Sequence, residues 1–156
     1  MTKNETFLFD TSALSSLTQK GTDEHDKVLS KFSSMDENDA VFVSILSIYE
    51  MEYGARHAKE RHIAYEMRLA IQTVKDEFDI LPLTEDGAKI FADIKEQYQE
   101  KKAIGKKALI KHNVDLMIAA TAIEIGAILV TNDTKDKIPE IIEQFRSDFH
   151  WQDWTK

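Results

Sequence analysis

The chain contains no cysteine, only two prolines and only five glycines among its 156 residues. Without cysteine there is neither a disulfide framework nor a thiolate-held zinc, and a reducing compartment suits the protein. With so little proline and glycine, no linker divides the sequence, and neither a phosphate-cradling glycine loop nor a nucleophile elbow is present. Positive charge is scarce as well. Lysine and arginine number 20 against 28 acids, a net charge of −8, which argues against broad, non-specific phosphate binding. That exclusion concerns the average surface only, because a local cluster of acids can hold a divalent cation and the cation attracts phosphate. Long apolar runs are missing too. The longest, LMIAATAIEIGAILV, is interrupted by Glu124 and Gly126 and cannot form a spanning helix. The apolar stretch within MTKNETFLFD is far too short for a signal-peptide core. The expectation is a cytoplasmic protein with no membrane association.

What is present describes a globular domain. Apolar residues make up 42% of the sequence and charged residues 31%, a balance that supports a packed core rather than disorder. Strand-like runs occur at Thr6–Phe9, Ala40–Val43, Asp79–Leu81, Ala127–Thr131 and, least clearly, Phe149–Trp154. Stretches of helical periodicity separate them. Thr22 or Asp23 opens a helix to about Phe32, Ser44 caps ILSIYEMEYGARHA, and a further helix runs from Arg61 to Phe78. Thr84 opens another that fades near Gly105, Asn113 caps VDLMIAATAIEI with Gly126 at its end, and Pro139 marks a last helix start. Strands separated by helices of this length imply parallel pairing, hence an α/β sandwich. The whole chain, 1–156, reads as one domain.

The first strand ends on a charge. In FLFDTSAL, Asp10 stands where a fourth apolar residue would continue the run, and Thr11 and Ser12 follow. The fourth strand ends in TND, placing Asp133 just beyond Thr131. Ligands gather at the carboxyl edge of an open parallel sheet, and the helix feeding the fourth strand begins at that edge with Asp115 in its first turn. Glu50 lies two turns into the helix after the second strand; its neighbours Leu46, Ser47, Tyr53 and Gly54 are uncharged, which lets its face turn inward. Four acids at one edge repel one another unless something binds between them. A hard divalent cation, magnesium or manganese, takes oxygen ligands and resolves the conflict. Ser12 and Thr131, with Thr11, then orient carboxylates or waters around it. The plainer alternative makes Asp10 and Asn113 helix caps, Asp133 a turn residue and Glu50 part of a solvated face. Convergence of all four on one edge favours the ion.

The order FLFDTSAL, SIYEMEYG, VDLMIAATA, ILVTND resembles the PIN-domain nucleases, most closely the VapC-type toxins of bacterial toxin–antitoxin pairs. The resemblance implies a PIN-like parallel sheet of about five strands, ordered 3-2-1-4-5, between helices. It further implies that Asp10 and Asp115 ligate magnesium directly, that Glu50 and Asp133 complete an acidic quartet, and that Ser12 and Thr131 are supporting hydroxyls. The implied activity is metal-dependent endonucleolytic cleavage of RNA. The implied partners are a second copy of the chain, in a homodimer, and a cognate antitoxin that blocks the acidic pocket. Many relatives follow the fourth strand with an acid and then a phenylalanine, whereas this chain reads NDTKDKIPE. The fourth acid is therefore either Asp133 or Asp136.

Two basic groups flank these acids: Lys101, Lys102, Lys106, Lys107, Lys111 and His112 before Asp115, and Arg56, His57, Lys59, Arg61 and His62 after Glu50. Lys106, Lys107, Lys111 and Arg56 are the candidates for holding an RNA backbone, against the alternative of ordinary solvated surface. His57 and His62 are five apart, the wrong spacing for two zinc ligands on one helix face. Trp151 and Trp154 are expected to pack an edge strand or the tail onto the core. Two other functions compete: a phosphatase of the haloacid-dehalogenase type with Asp10 as covalent nucleophile, and a non-catalytic PIN module that binds RNA or protein. The first wants an aspartate where Ser12 stands.

Overall fold

A computed structural model describes residues 4–156. Five parallel strands form one sheet: β1 (Thr6–Phe9), β2 (Ala40–Ser44), β3 (Asp79–Leu81), β4 (Ile128–Val130) and β5 (His150–Gln152), in the order β3-β2-β1-β4-β5. All five strand expectations therefore hold, including the order implied by the resemblance, with β4 and β5 shorter than expected. The helices are α1 (Thr11–Thr18), α2 (Asp23–Ser33), α3 (Ile45–His57), α4 (Arg61–Glu77), α5 (Glu85–Lys102), α6 (Lys106–Ile110), α7 (Asn113–Ile125) and α8 (Ile138–Phe145).

β1 is the centre of the sheet, pairing Phe9 with Val43 of β2 on one side and with Val130 of β4 on the other. Alternation along the strand splits the interior into two layers. Phe7 and Phe9 pack with Ala13, Leu14, Val28, Val43, Val74, Phe78 and Trp154, among α1 to α4. Leu8 points the opposite way, into a cluster with Ile94, Tyr98, Leu116, Ile118, Leu129 and Ile142 from α5, α7, β4 and α8. The tryptophans do what their aromatic bulk suggests. Trp154 is buried edge-on against Phe7 and Phe9, while Trp151 packs partly buried against the Leu8 layer and donates its indole N–H to Glu143.

Several helix starts follow their side chains. Thr22, Ser44 and Thr84 each accept a backbone N–H of the helix they open, and Pro139 sits in the first turn of α8. Asn113 departs from expectation: His112 occupies the capping position of α7, Asn113 is the first helical residue, and its side chain makes no cap bond. Gly126 closes α7 in the left-handed region, φ 69°, with its N–H turned back to Ala122 and Ile123. A side chain there would meet no neighbour, so the cost of Gly126→Ala is conformational alone. The variant is expected to lose ~1 kcal/mol of stability, or about 2–4 °C in melting temperature, with activity unchanged.

Candidate active site

The strand order reverses at β1, whose neighbours are β2 and β4, and the crevice at the carboxyl ends of β1 and β4 is where an open parallel sheet accepts a ligand. Asp10 follows β1 directly. Its backbone N–H donates to the Val130 carbonyl of β4 at 3.0 Å, and its side chain caps α1. Both side-chain hydrogen bonds fall on Oδ1, from the Ala13 N–H at 2.9 Å and the Ser12 hydroxyl at 2.6 Å. The plainer reading of Asp10 as a helix cap is thus correct, and Oδ1 is the oxygen that does that work.

From β4 the chain turns through Thr131, Asn132 and Asp133. The Thr131 hydroxyl is 3.4 Å from that of Ser12 and accepts the Asp133 N–H at 3.2 Å. Ser12 in turn accepts the Asn132 N–H at 3.2 Å. The two hydroxyls therefore tie the end of β1 to the end of β4. A small pocket opens beside them, lined by Asp10, Asp115, Thr131, Asp133 and Asp136, with Leu129, Ile138 and Pro139 as its apolar wall.

Glu50 reaches the same region from α3. Its carboxylate accepts a hydrogen bond from Thr11, whose hydroxyl also lies 3.0 Å from that of Ser47. The side of α3 carrying Ser47 is buried, but Tyr53 is 69% exposed, so the helix does not turn its whole Glu50 face inward. Glu50 is exposed and does not line the pocket.

Electrostatics register this crowding. Asp10, only 8% exposed, has its carboxyl pushed above the ordinary range by burial and, more weakly, by Asp133, against the pull of Ser12, Thr131 and the Ala13 N–H. Asp115 is pushed up to about 7, first by burial and then by Asp10, Asp133, Glu50 and Asp136. The other three sequence-derived acids, Asp10, Glu50 and Asp133, are therefore within electrostatic reach of Asp115, and Asp136 joins them. Among the described residues, no three acids or histidines are drawn tightly enough together to enclose an ion on protein atoms alone. The donor set is all oxygen and carries an excess of negative charge, so the residues fit a hard divalent cation.

The basic candidates fare unevenly. Lys106, Lys107, Lys111 and Arg56 are exposed. His112 is not a surface cation at all. It is 4% exposed and lies edge-on against Tyr98. Lys106 and Lys107 open α6, a helix absent from the sequence reading because five residues are too few to show periodicity. Tyr98, read as one more apolar residue on the α5 stripe, has its hydroxyl bonded to the Asp136 carbonyl. A buried tyrosine hydroxyl needs a partner, and that requirement was the available signal.

A sequence profile of the PIN domain matches residues 7–141, most of the chain and all four acid-bearing segments. The chain belongs to the PIN domain family. No curated protein matches it in sequence. Solved structures share the PIN architecture along nearly its whole length. A VapBC-1 structure from nontypeable Haemophilus influenzae superposes with a TM-score of 0.71 at 22% identity, covering 97% of this chain and 99% of that one. A VapBC2 structure from Rickettsia felis, bound to a promoter DNA fragment, gives 0.72 at 18% identity, with 96% and 98% covered. VapBC-5 from Mycobacterium tuberculosis, a member of the VapBC family of toxin–antitoxin systems, gives 0.68 at 18% identity, with 95% and 98% covered. At these identities the likeness is one of fold. It accords with the all-parallel order β3-β2-β1-β4-β5 found for this PIN domain.

Proposed function

We propose that this PIN domain is a metal-dependent endoribonuclease and the toxin of a VapBC-type toxin–antitoxin pair. The observation that carries the reading is the meeting of Asp10, Asp115, Asp133 and Asp136 in one pocket at the carboxyl edge of the sheet, where burial and the neighbouring acids push the Asp115 carboxyl up to about 7. Such a cluster is poorly stable with all its charges unless a cation enters it. Asp10 and Asp115 are assigned as direct ligands of magnesium, with manganese as a substitute, and Glu50 and Asp133 as the acids that complete the set directly or through water. When bound, the ion supplies Lewis acidity that polarises a phosphoryl oxygen and acidifies a water.

The remaining chemistry belongs to the chain. Hydrolysis forms one P–O bond from water and breaks one in the RNA backbone, so the attacking water must lose a proton. Glu50 and Asp133, both exposed, are assigned to take it. Thr11 holds Glu50, Ser12 fixes the inner oxygen of Asp10, and Thr131 fixes the backbone of Asp133. The reading is tested by incubating the purified protein with RNA. Cleavage is expected with magnesium or manganese and none with a chelator, whereas metal-independent cleavage, or none under any metal, defeats it.

Lys106, Lys107, Lys111 and Arg56 are assigned to the RNA backbone. Lys106→Glu with Lys107→Glu is expected to weaken RNA binding across sequences and to lower the slope of log affinity against log salt by about 1 per lysine. An unchanged slope would remove α6 from the interface. Protein partners are supported by large apolar side chains left in solvent on α3 and α4, among them Tyr49 and Tyr53 at 69% exposure and Tyr65 at 65%. A second copy of the chain and an antitoxin are the partners proposed for them. No helix among the described residues is long and apolar enough to cross a membrane.

A further inference from the structure

We propose that Tyr98 is a positioning residue for the acidic site, holding Asp136 in it from a helix that lines none of the pocket. The proposal rests on the metal-nuclease reading and extends it to α5. Tyr98 is fully buried, and its hydroxyl donates to the Asp136 carbonyl at 2.8 Å. The next residue, Lys137, has φ 57° and is one of two non-glycine residues in the left-handed region among those described. Side chains seldom adopt that conformation, and it persists where surrounding contacts over-determine it. The Tyr98 bond is such a contact, applied one residue before the strained one.

His112 closes the arrangement from the start of α7. Its ring is buried, stands edge-on to Tyr98 with centroids 5.6 Å apart, and brings Nδ1 to 3.8 Å from Asp136 Oδ2. Asp136 is thus gripped at its carbonyl by α5 and faced at its carboxylate by the capping residue of the helix that carries Asp115. Asp133 is held quite differently, in a local turn where its own Oδ1 accepts the Lys135 N–H at 3.3 Å. Both acids line the pocket, but only Asp136 is clamped from outside the loop. The hydroxyl remains a donor at any working pH, because burial and then Asp136, Asp115 and Asp133 push its pKa up to about 12.

Tyr98→Phe keeps the ring in place and removes only the donor, leaving the Asp136 carbonyl unpaired. The expected result is a ~10-fold rise in the manganese concentration for half-maximal RNA cleavage, matched by the same rise in manganese binding measured directly by titration of the full chain. Asp136→Ala raises both midpoints as well. The double variant is expected to be no worse than Asp136→Ala alone, since Tyr98 acts only through Asp136. Manganese midpoints unchanged in Tyr98→Phe, even with a lower melting temperature, would reduce Tyr98 to a core residue and overturn the proposal. So would losses that multiply in the double variant. A wild type that neither binds manganese nor cuts RNA is a separate outcome, defeating the metal-nuclease reading and this proposal with it.

Discussion

Asp10→Asn and Asp115→Asn are each expected to lower metal-dependent RNA cleavage at least ~100-fold while the protein stays folded. The amide replaces one carboxylate oxygen with NH2 and removes the negative charge that a divalent cation requires. It does not remove what the fold requires. Asp10 holds α1 through a single oxygen, Oδ1, on which the Ala13 N–H and the Ser12 hydroxyl converge, and an asparagine offers an oxygen in the same place. The two consequences of the substitution thus separate cleanly. Cleavage assays beside circular dichroism and thermal melts check both, and wild-type activity in either variant would show that the assigned acids are not the reactive centre.

Asp115→Asn is also expected to make the metal-free protein more stable, by an amount that depends on pH. A carboxyl raised from 3.8 to about 7 in the folded state binds its proton more tightly there than in the unfolded chain. Between those two values the folded state carries the extra proton, so stability falls as pH rises, and the contribution tied to that proton is fully lost above about 7. The variant has no proton to lose. Its melting temperature should match the wild type near pH 4 and exceed it above pH 7. The difference has an upper bound of ~4 kcal/mol, and the partial contact of Asp115 with solvent cuts this to roughly 2 kcal/mol, or about 4–8 °C. Adding magnesium above pH 7 should raise the wild-type melting temperature and close the gap, because an ion that binds only the folded state stabilises it. A difference that is flat with pH would mean that Asp115 is an ordinary exposed acid.

How far the sequence led can be judged residue by residue. The strands were legible because each central one is a compact run of aromatic or β-branched residues, and Asp10 was legible because it interrupts such a run. Asp115 and Asp133 followed from topology, since the helix before β4 and the loop after it share an edge with β1. The details that failed depend on contacts between distant segments. Asn113 has the chemistry of a cap, but the helix begins one residue earlier than a cap at Asn113 would allow. His112 looked like one more surface cation beside five lysines, and only the packing of α5 against α7 shows it buried against Tyr98. Tyr53 was counted with the inward face of α3 on spacing alone, and the structure leaves it in solvent. The choice between Asp133 and Asp136 stayed open because both lie in one loop, where spacing carries no information about which is gripped from outside.

The division of labour within the Asp10 carboxyl reaches beyond the mechanism. Because the cap on α1 needs only an oxygen while the proposed ion needs a charge, the proposal implies a chain that is disarmed without being unfolded. An aspartate codon becomes an asparagine codon by a single base change, so a folded chain lacking that charge is always one step away.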